Sequence, residues 1–157
     1  MTSLLLRNLF FTILQPGMVA GFIPYWIIRN QLDQILEKQM GIFQFIAVLL
    51  FITGFVVTIA CILRFAFEGK GTLSPADETK QLVIGGLYRY SRNPMYVGVM
   101  LMLIGEALLA SSKDLWIYAA IIFGCFHLFI LIHEEPRLQR DFGDQYTQYR
   151  QKVRRWL

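Results

Sequence analysis

Apolar positions along this chain fall in long windows rather than being spread evenly. No formally charged residue lies between Arg7 and Arg29, none between Lys38 and Arg64, and none between Asp114 and Glu134. From Asn93 to Ser112 the only charge is Glu106. Each window is close to the roughly 20 residues that cross a bilayer as a helix. The pattern predicts one all-α domain over residues 1–157, a polytopic membrane helical bundle with about four transmembrane helices at 4–28, 41–65, 94–110 and 115–133. Pro16 and Pro24 predict a kink in the first helix. Gly17 and Gly21 form a small-xxx-small pair that lets another helix approach closely. Residues 29–39 read as a short polar external connection. Residues 136–153 place Leu138, Phe142, Tyr146, Tyr149 and Val153 at helical spacing on one side, an amphipathic C-terminal helix that lies in the interface or caps the bundle.

Composition agrees with a membrane chain: 55% of the 157 residues are hydrophobic and only 17% charged, away from the usual balance of a soluble domain. With a cytoplasmic N-terminus, Arg29, Lys38 and Lys113 face outward and the other twelve of the 15 Lys and Arg face the cytoplasm. That bias places both termini in the cytoplasm. The net charge of +4 therefore reads as orientation bias and attraction to anionic lipid, not as a nucleic-acid footprint. The apolar run after Arg7 extends past a signal-peptide core and lacks a small-x-small cleavage site, so it reads as a retained span. Cys61 and Cys125 fall in predicted membrane helices at a spacing that fits no metal motif, and read as packing residues. A metal site of His127, His133 and the two glutamates after them lacks ligand spacing, so no metal is expected.

The stretch between the second and third spans, 65–92, is too long for a simple connection and too apolar for disorder. It predicts an ordered loop on the cytoplasmic mouth of the bundle, running into the segment LVIGGLYRYSRNPMYVG at 82–98. Asn93 is a favoured N-cap and Pro94 a favoured first helical residue. A helix N-terminus beside Arg89 and Arg92 is also a natural anion site. Tyr88, Tyr90 and Tyr96 suit either a ligand pocket or an interfacial belt. Glu106, about 20 Å into its helix at 1.5 Å per residue, must face the bundle, and an interhelical hydrogen bond is its expected role. Glu134 and Glu135 oppose the dipole at a helix C-terminus. Pairing with Arg89, Arg92 or Arg137 would explain them, and so would binding a cation or sugar hydroxyls. His127 shares a helical face with Glu134.

Taken with the later EEPRLQRDFGDQYTQYRQKVRRW, this segment resembles the isoprenylcysteine carboxyl methyltransferase family, within the wider group of phospholipid methyltransferase-like integral membrane methyltransferases. That family pairs LV-x-x-G-x-Y-x-x-x-R-H-P-x-Y-x-G with a later E-E-x-x-L and F-G-x-x-Y-x-x-Y. The likeness covers about residues 69–156.

The resemblance implies a membrane-embedded S-adenosyl-L-methionine (AdoMet) site at the cytosolic face. By position, Leu82, Val83, Gly86 and Tyr88 would line the cofactor pocket. Asn93, Pro94 and Tyr96 would continue it, Gly98 would give clearance, and Glu135 would close it. Glu134 would sit nearest the reacting groups, with Arg92 or Arg89 orienting an anionic group. The expected partner is a lipid or lipophilic acceptor entering between helices, with O-methylation of a prenylcysteine-like carboxylate as the expected reaction; oligomeric state is not legible. Two departures stand out. Asn93 replaces the family's usual His and is no general base. Ile130 and Leu131 stand where the eukaryotic enzymes carry a substrate-associated arginine, with His127 the nearest basic residue. An NADPH-dependent reductase related to sterol reductases and a non-catalytic ligand-binding membrane protein are the alternatives.

Overall fold

The computed structural model describes residues 16–37, 41–68 and 81–157, and all regular structure among them is helical. The start of the first expected span and the 69–80 part of the expected loop lie outside the described residues.

The chain enters through a π turn at Met18–Phe22 and continues as α1 (Ile23–Ile28). Ala20 leaves helical dihedrals, at φ −112° and ψ 22°. The cause is Pro24, four residues on. Proline has no N–H to give to the Ala20 carbonyl, and its ring would strike that carbonyl. The extra residue of the π turn absorbs the clash, so the kink expected from proline is present. The expected polar connection after residue 28 is instead helical, as a 3-10 turn at Arg29–Gln31 and then α2 (Leu32–Glu37). Asp33 in the first turn of α2 complements the helix dipole.

α3 (Ile42–Glu68) follows, its start tied by Gln44 Oε1 accepting the Gly41 N–H at 3.0 Å. One face presents Phe45, Leu49, Ile52, Val56 and Leu63, all at least half exposed. Such an apolar stripe marks a surface that meets a membrane or a partner. Among the described residues, two stretches can cross a membrane by length and composition, Ile42–Arg64 and the apolar part of Lys113–Lys152; Pro94–Ala110 is apolar but shorter.

α4 (Pro94–Ala110) packs along α3, turns at Ser111 in the left-handed region (φ 52°), and is followed by α5 (Lys113–Phe129). The α3–α4 crossing is built on glycine. A Cβ on Gly98 would meet Thr58 Oγ1 at 2.5 Å and Gly54 O at 2.9 Å; a Cβ on Gly105 would meet Ala47 O at 2.7 Å. Gly54 lies equally tight against the Gly98 carbonyl. Gly98, expected to give a cofactor clearance, therefore gives it to α3. The Gly17–Gly21 pair does not play this part for Gly21, whose Cβ position has nothing within 4 Å. The core where the first helix, α4 and α5 meet consists of Ala20, Val99, Met102, Leu103 and Ala119.

α5 continues through a second π turn, Ile130–Glu134, into α6 (Glu135–Lys152). Pro136 again stands just beyond it and denies an N–H to the carbonyl four residues back. α6 breaks at Gly143, φ 50° and ψ −118°, a conformation that glycine alone adopts freely. After α6 the chain is extended at Val153 and runs back over the start of α4.

Candidate functional site

Two polar clusters form where 82–98, the second π turn and the C-terminal tail converge. The first holds Tyr88, Tyr96 and Glu134. The Tyr96 hydroxyl donates to Glu134 Oε1 at 2.9 Å, and its ring packs on Phe126 with centroids 4.6 Å apart. Tyr88 is buried at 8% exposure beside Val83 and Cys61. Burial, with Cys61 and Glu134 nearby, pushes its phenol pKa up, so it stays a neutral hydroxyl. Tyr149 donates to the Tyr88 carbonyl at 2.6 Å, tying α6 to this turn.

The second cluster is a clamp. Glu135 Oε1 lies 3.1 Å from Arg92 Nη1, with side-chain exposures of 11% and 9%. Arg155 meets the same carboxylate with two bonds, Nε to Oε1 at 2.8 Å and Nη2 to Oε2 at 3.0 Å. This bond raises the Arg155 pKa, which keeps the pair charged. Arg92 Nη1 also donates to the Tyr146 hydroxyl at 3.1 Å, and Tyr146 is 1% exposed. The tail backbone completes the clamp. Arg154 O accepts the Arg92 N–H at 2.9 Å, and Arg155 O accepts Ser91 Oγ at 3.3 Å and Asn93 Nδ2 at 3.0 Å. Trp156 Nε1 donates to His127 Nδ1 at 3.3 Å and stacks near Phe123 and His127.

Several expected roles change. Asn93 stands at the N-cap position, but its side chain makes no capping bond; its amide holds the tail, where a fixed carbonyl is within reach. Its own N–H goes to Ser91 Oγ at 3.1 Å. Arg92 and Glu135 are spent on each other and on the tail. A π turn lies between His127 and Glu134, and the His127 Nδ1 accepts from Trp156. Pro94 is the buried first residue of α4, and Leu82 is half-buried. Sequence reasoning missed Arg155, Tyr146 and Trp156 as partners of the motif, since nothing local in a basic tail marks where it folds back.

Two cavities adjoin the first cluster. One, of about 300 Å³, is lined by Cys61, Arg64, Gly86, Tyr88 and Arg89 among others. Gly86 has φ +57°, which favours glycine, and a Cβ there would displace the Arg64 guanidinium. The other, also about 300 Å³, is apolar and opens among Val19, Met95, Tyr96, Val99, Cys125 and Phe129. Tyr96 thus joins an apolar volume to a partly buried carboxylate.

A model of the phospholipid methyltransferase family matches residues 42–145, which is about two thirds of the chain. The chain belongs to this family. The matched stretch runs from α3 through the glycine-bearing turn, α4, α5 and the glutamate pair into α6. An uncharacterized protein of Haemophilus influenzae is 36% identical over 63 residues, covering 40% of this chain and all of that protein. Protein-S-isoprenylcysteine O-methyltransferase of Schizosaccharomyces pombe is 35% identical over 80 residues, 51% of this chain and 34% of that enzyme. The chain thus aligns with about a third of the latter's length. No solved structure matches. In the family member described here, the tail clamp at Arg154 and Arg155 lies beyond the matched residues.

Proposed function

We propose that this chain is an integral membrane, AdoMet-dependent methyltransferase acting on a small lipophilic acceptor, with O-methylation of a prenylcysteine-like carboxylate as its reaction. The observation that carries this reading is the Tyr96–Glu134 hydrogen bond at the wall of an apolar cavity. Such a wall suits an acceptor with a greasy body and one polar reacting group. The reading includes four spans, with both termini and the site at the cytoplasmic side.

The residues present fit the cofactor. Glu134 would offer a carboxylate to its cationic groups, while Arg64 and Arg89, which line the neighbouring cavity, would complement its carboxylate and Tyr88 would supply an aromatic wall. Val83 packs behind Tyr88. When bound, AdoMet supplies an electrophilic methyl group. The chain's own residues then position and desolvate. A carboxylate acceptor is already nucleophilic, so no residue has to remove a proton and Asn93 need not replace a histidine base. Glu134 and the Tyr96 hydroxyl orient the reacting groups; the apolar cavity excludes water. Arg92, Asn93 and Glu135 hold the frame rather than the ligands.

The test is calorimetry with S-adenosylhomocysteine, followed by transfer of labelled methyl from AdoMet into a panel of prenylcysteines and membrane lipids. Glu134→Gln is expected to lower turnover at least a hundredfold. Unchanged turnover removes Glu134 from the site, and binding of NADPH without either AdoMet or S-adenosylhomocysteine replaces this reading with the reductase.

A further inference from the structure

The opposite end of the bundle holds a third cavity, of about 290 Å³, with Glu106 in its wall. Its other walls come from the first helix (Gly21, Tyr25), from α3 (Ala47, Phe51) and from α4 (Leu109). Glu106 Oε2 is buried and has no hydrogen-bond partner, so the interhelical bond expected of this carboxyl is not made by that oxygen. A buried polar atom without a partner costs about 1–3 kcal/mol, and a lone carboxyl in a membrane helix marks a functional site unless something pairs with it. Nothing in the mechanism above uses it. Tyr96 precedes it by ten residues in α4, about 15 Å at 1.5 Å per residue.

The depth of the cavity is set by three helices at once. Glu106 lies four residues before Ala110, where α4 ends. Ala47 lies five residues after Ile42, where α3 begins. Tyr25 lies three residues before Ile28, where α1 ends. Each is therefore about one helical turn, some 5–8 Å, from its helix end. The cavity thus lies toward the end of the bundle opposite Tyr96 and Glu134. Next to it, Gly105 lets the α4 backbone approach the Ala47 carbonyl so closely that a Cβ would sit 2.7 Å away.

We infer that this cavity is a second ligand site, separate from Tyr96–Glu134, which takes the ammonium group of a membrane amphiphile against Glu106. Charge complementarity selects the occupant. A single carboxyl among apolar walls has too few donors for a metal ion, and among the described residues no group of three His, Cys, Asp or Glu could hold one. An ammonium needs one strong acceptor, and the half-exposed Tyr25 ring offers a π face to the same charge. An anionic amphiphile gains neither, and a hydroxylated one gains only a neutral hydrogen bond, weaker than a charge-assisted one and with no cation for the ring.

The experiment measures radiolabelled n-dodecylamine on the full chain in phosphatidylcholine nanodiscs, against empty nanodiscs. One saturable site is expected, weakened at least tenfold by Glu106→Gln and not displaced by n-dodecanol. Gly21→Leu is the second variant. Gly21 lines the cavity and its Cβ position is open, so leucine there takes up cavity volume while the carboxyl is kept, and it is expected to abolish saturable binding. Binding that survives both variants overturns the site, as does equal displacement by dodecanol or the absence of a saturable component. Native mass spectrometry from nanodiscs containing phosphatidylethanolamine then separates the sources. A retained lipid lost in Glu106→Gln assigns an aminolipid headgroup; dodecylamine binding without retained lipid assigns a free lipophilic amine.

Discussion

Arg92→Met keeps much of the side chain's length and removes its charge from the clamp. Two interactions go with it, the 3.1 Å ion pair to Glu135 and the 3.1 Å bond to the Tyr146 hydroxyl. Taking one member from a buried pair costs about 3–5 kcal/mol when the other is left alone. Here Glu135 keeps the two-bond partner Arg155, which offsets part of that loss. Arg92 Nε has no acceptor, so methionine also relieves an unsatisfied donor. The expected net loss is about 2–4 kcal/mol, the range between a charge-assisted hydrogen bond and a fully broken pair. At about 2–4 °C per kcal/mol for a domain of this size, the unfolding midpoint falls roughly 5–15 °C. The assay is thermal unfolding of Arg92→Met, Glu135→Gln and the double variant in one detergent, with S-adenosylhomocysteine affinity measured at a temperature where all remain folded. The double variant is expected to be less destabilised than the sum of the singles, as for any directly coupled pair. An unshifted midpoint with lost cofactor affinity would refute the argument, because it would make Arg92 a ligand group and not a strut.

Gly98→Ala places a methyl 2.5 Å from Thr58 Oγ1 and 2.9 Å from a backbone oxygen, so overpacking should cost about 1–3 kcal/mol; a normal unfolding midpoint with weakened cofactor affinity would return Gly98 to the pocket. Gly143→Ala forces a side chain into φ 50°, ψ −118°, at about 1–3 kcal/mol of backbone strain, read as a lower midpoint; no shift would mean that the break in α6 relaxes without cost. Removing residues 154–157 takes away the carbonyl acceptors of Ser91, Arg92 and Asn93. Hydrogen exchange at the Arg92 amide should then speed up at least tenfold, while the amides in the middle of α3 stay protected; unchanged exchange at Arg92 would show that the tail does not hold the motif.

The helices were legible because membrane helices need long apolar windows. Residues 94–110 are the clearest case, since Pro94 and the preceding polar run fix its start. The kink at Ala20 was legible too, through Pro24. What stayed hidden was tertiary. Gly98 reads the same whether it faces a ligand or a helix, and only the position of Gly54 and Thr58 decides. The pairing of Glu135 with Arg92 was one of three partners the charges allowed, and Arg155 was not among them. A polar helix between residues 32 and 37 carries no apolar window to announce it.

The adjacent glutamates explain why the motif contains two carboxylates where one would seem enough. Consecutive positions on a helix point about 100° apart, so Glu134 and Glu135 must serve different neighbours. One turns toward Tyr96 and the apolar cavity; the other turns toward Arg92 and Arg155. The division requires the second carboxylate to be neutralised, because an unpaired charge beside Glu134 would disfavour any ionised state there. The two arginines supply that neutralisation, and Asn93 and Ser91 fix the tail that carries one of them. On this account the part of Asn93 is to grip a carbonyl with its amide. A histidine Nδ1–H could donate to the same oxygen, so the exchange of His for Asn preserves the clamp and removes no proton acceptor that a carboxylate substrate would need.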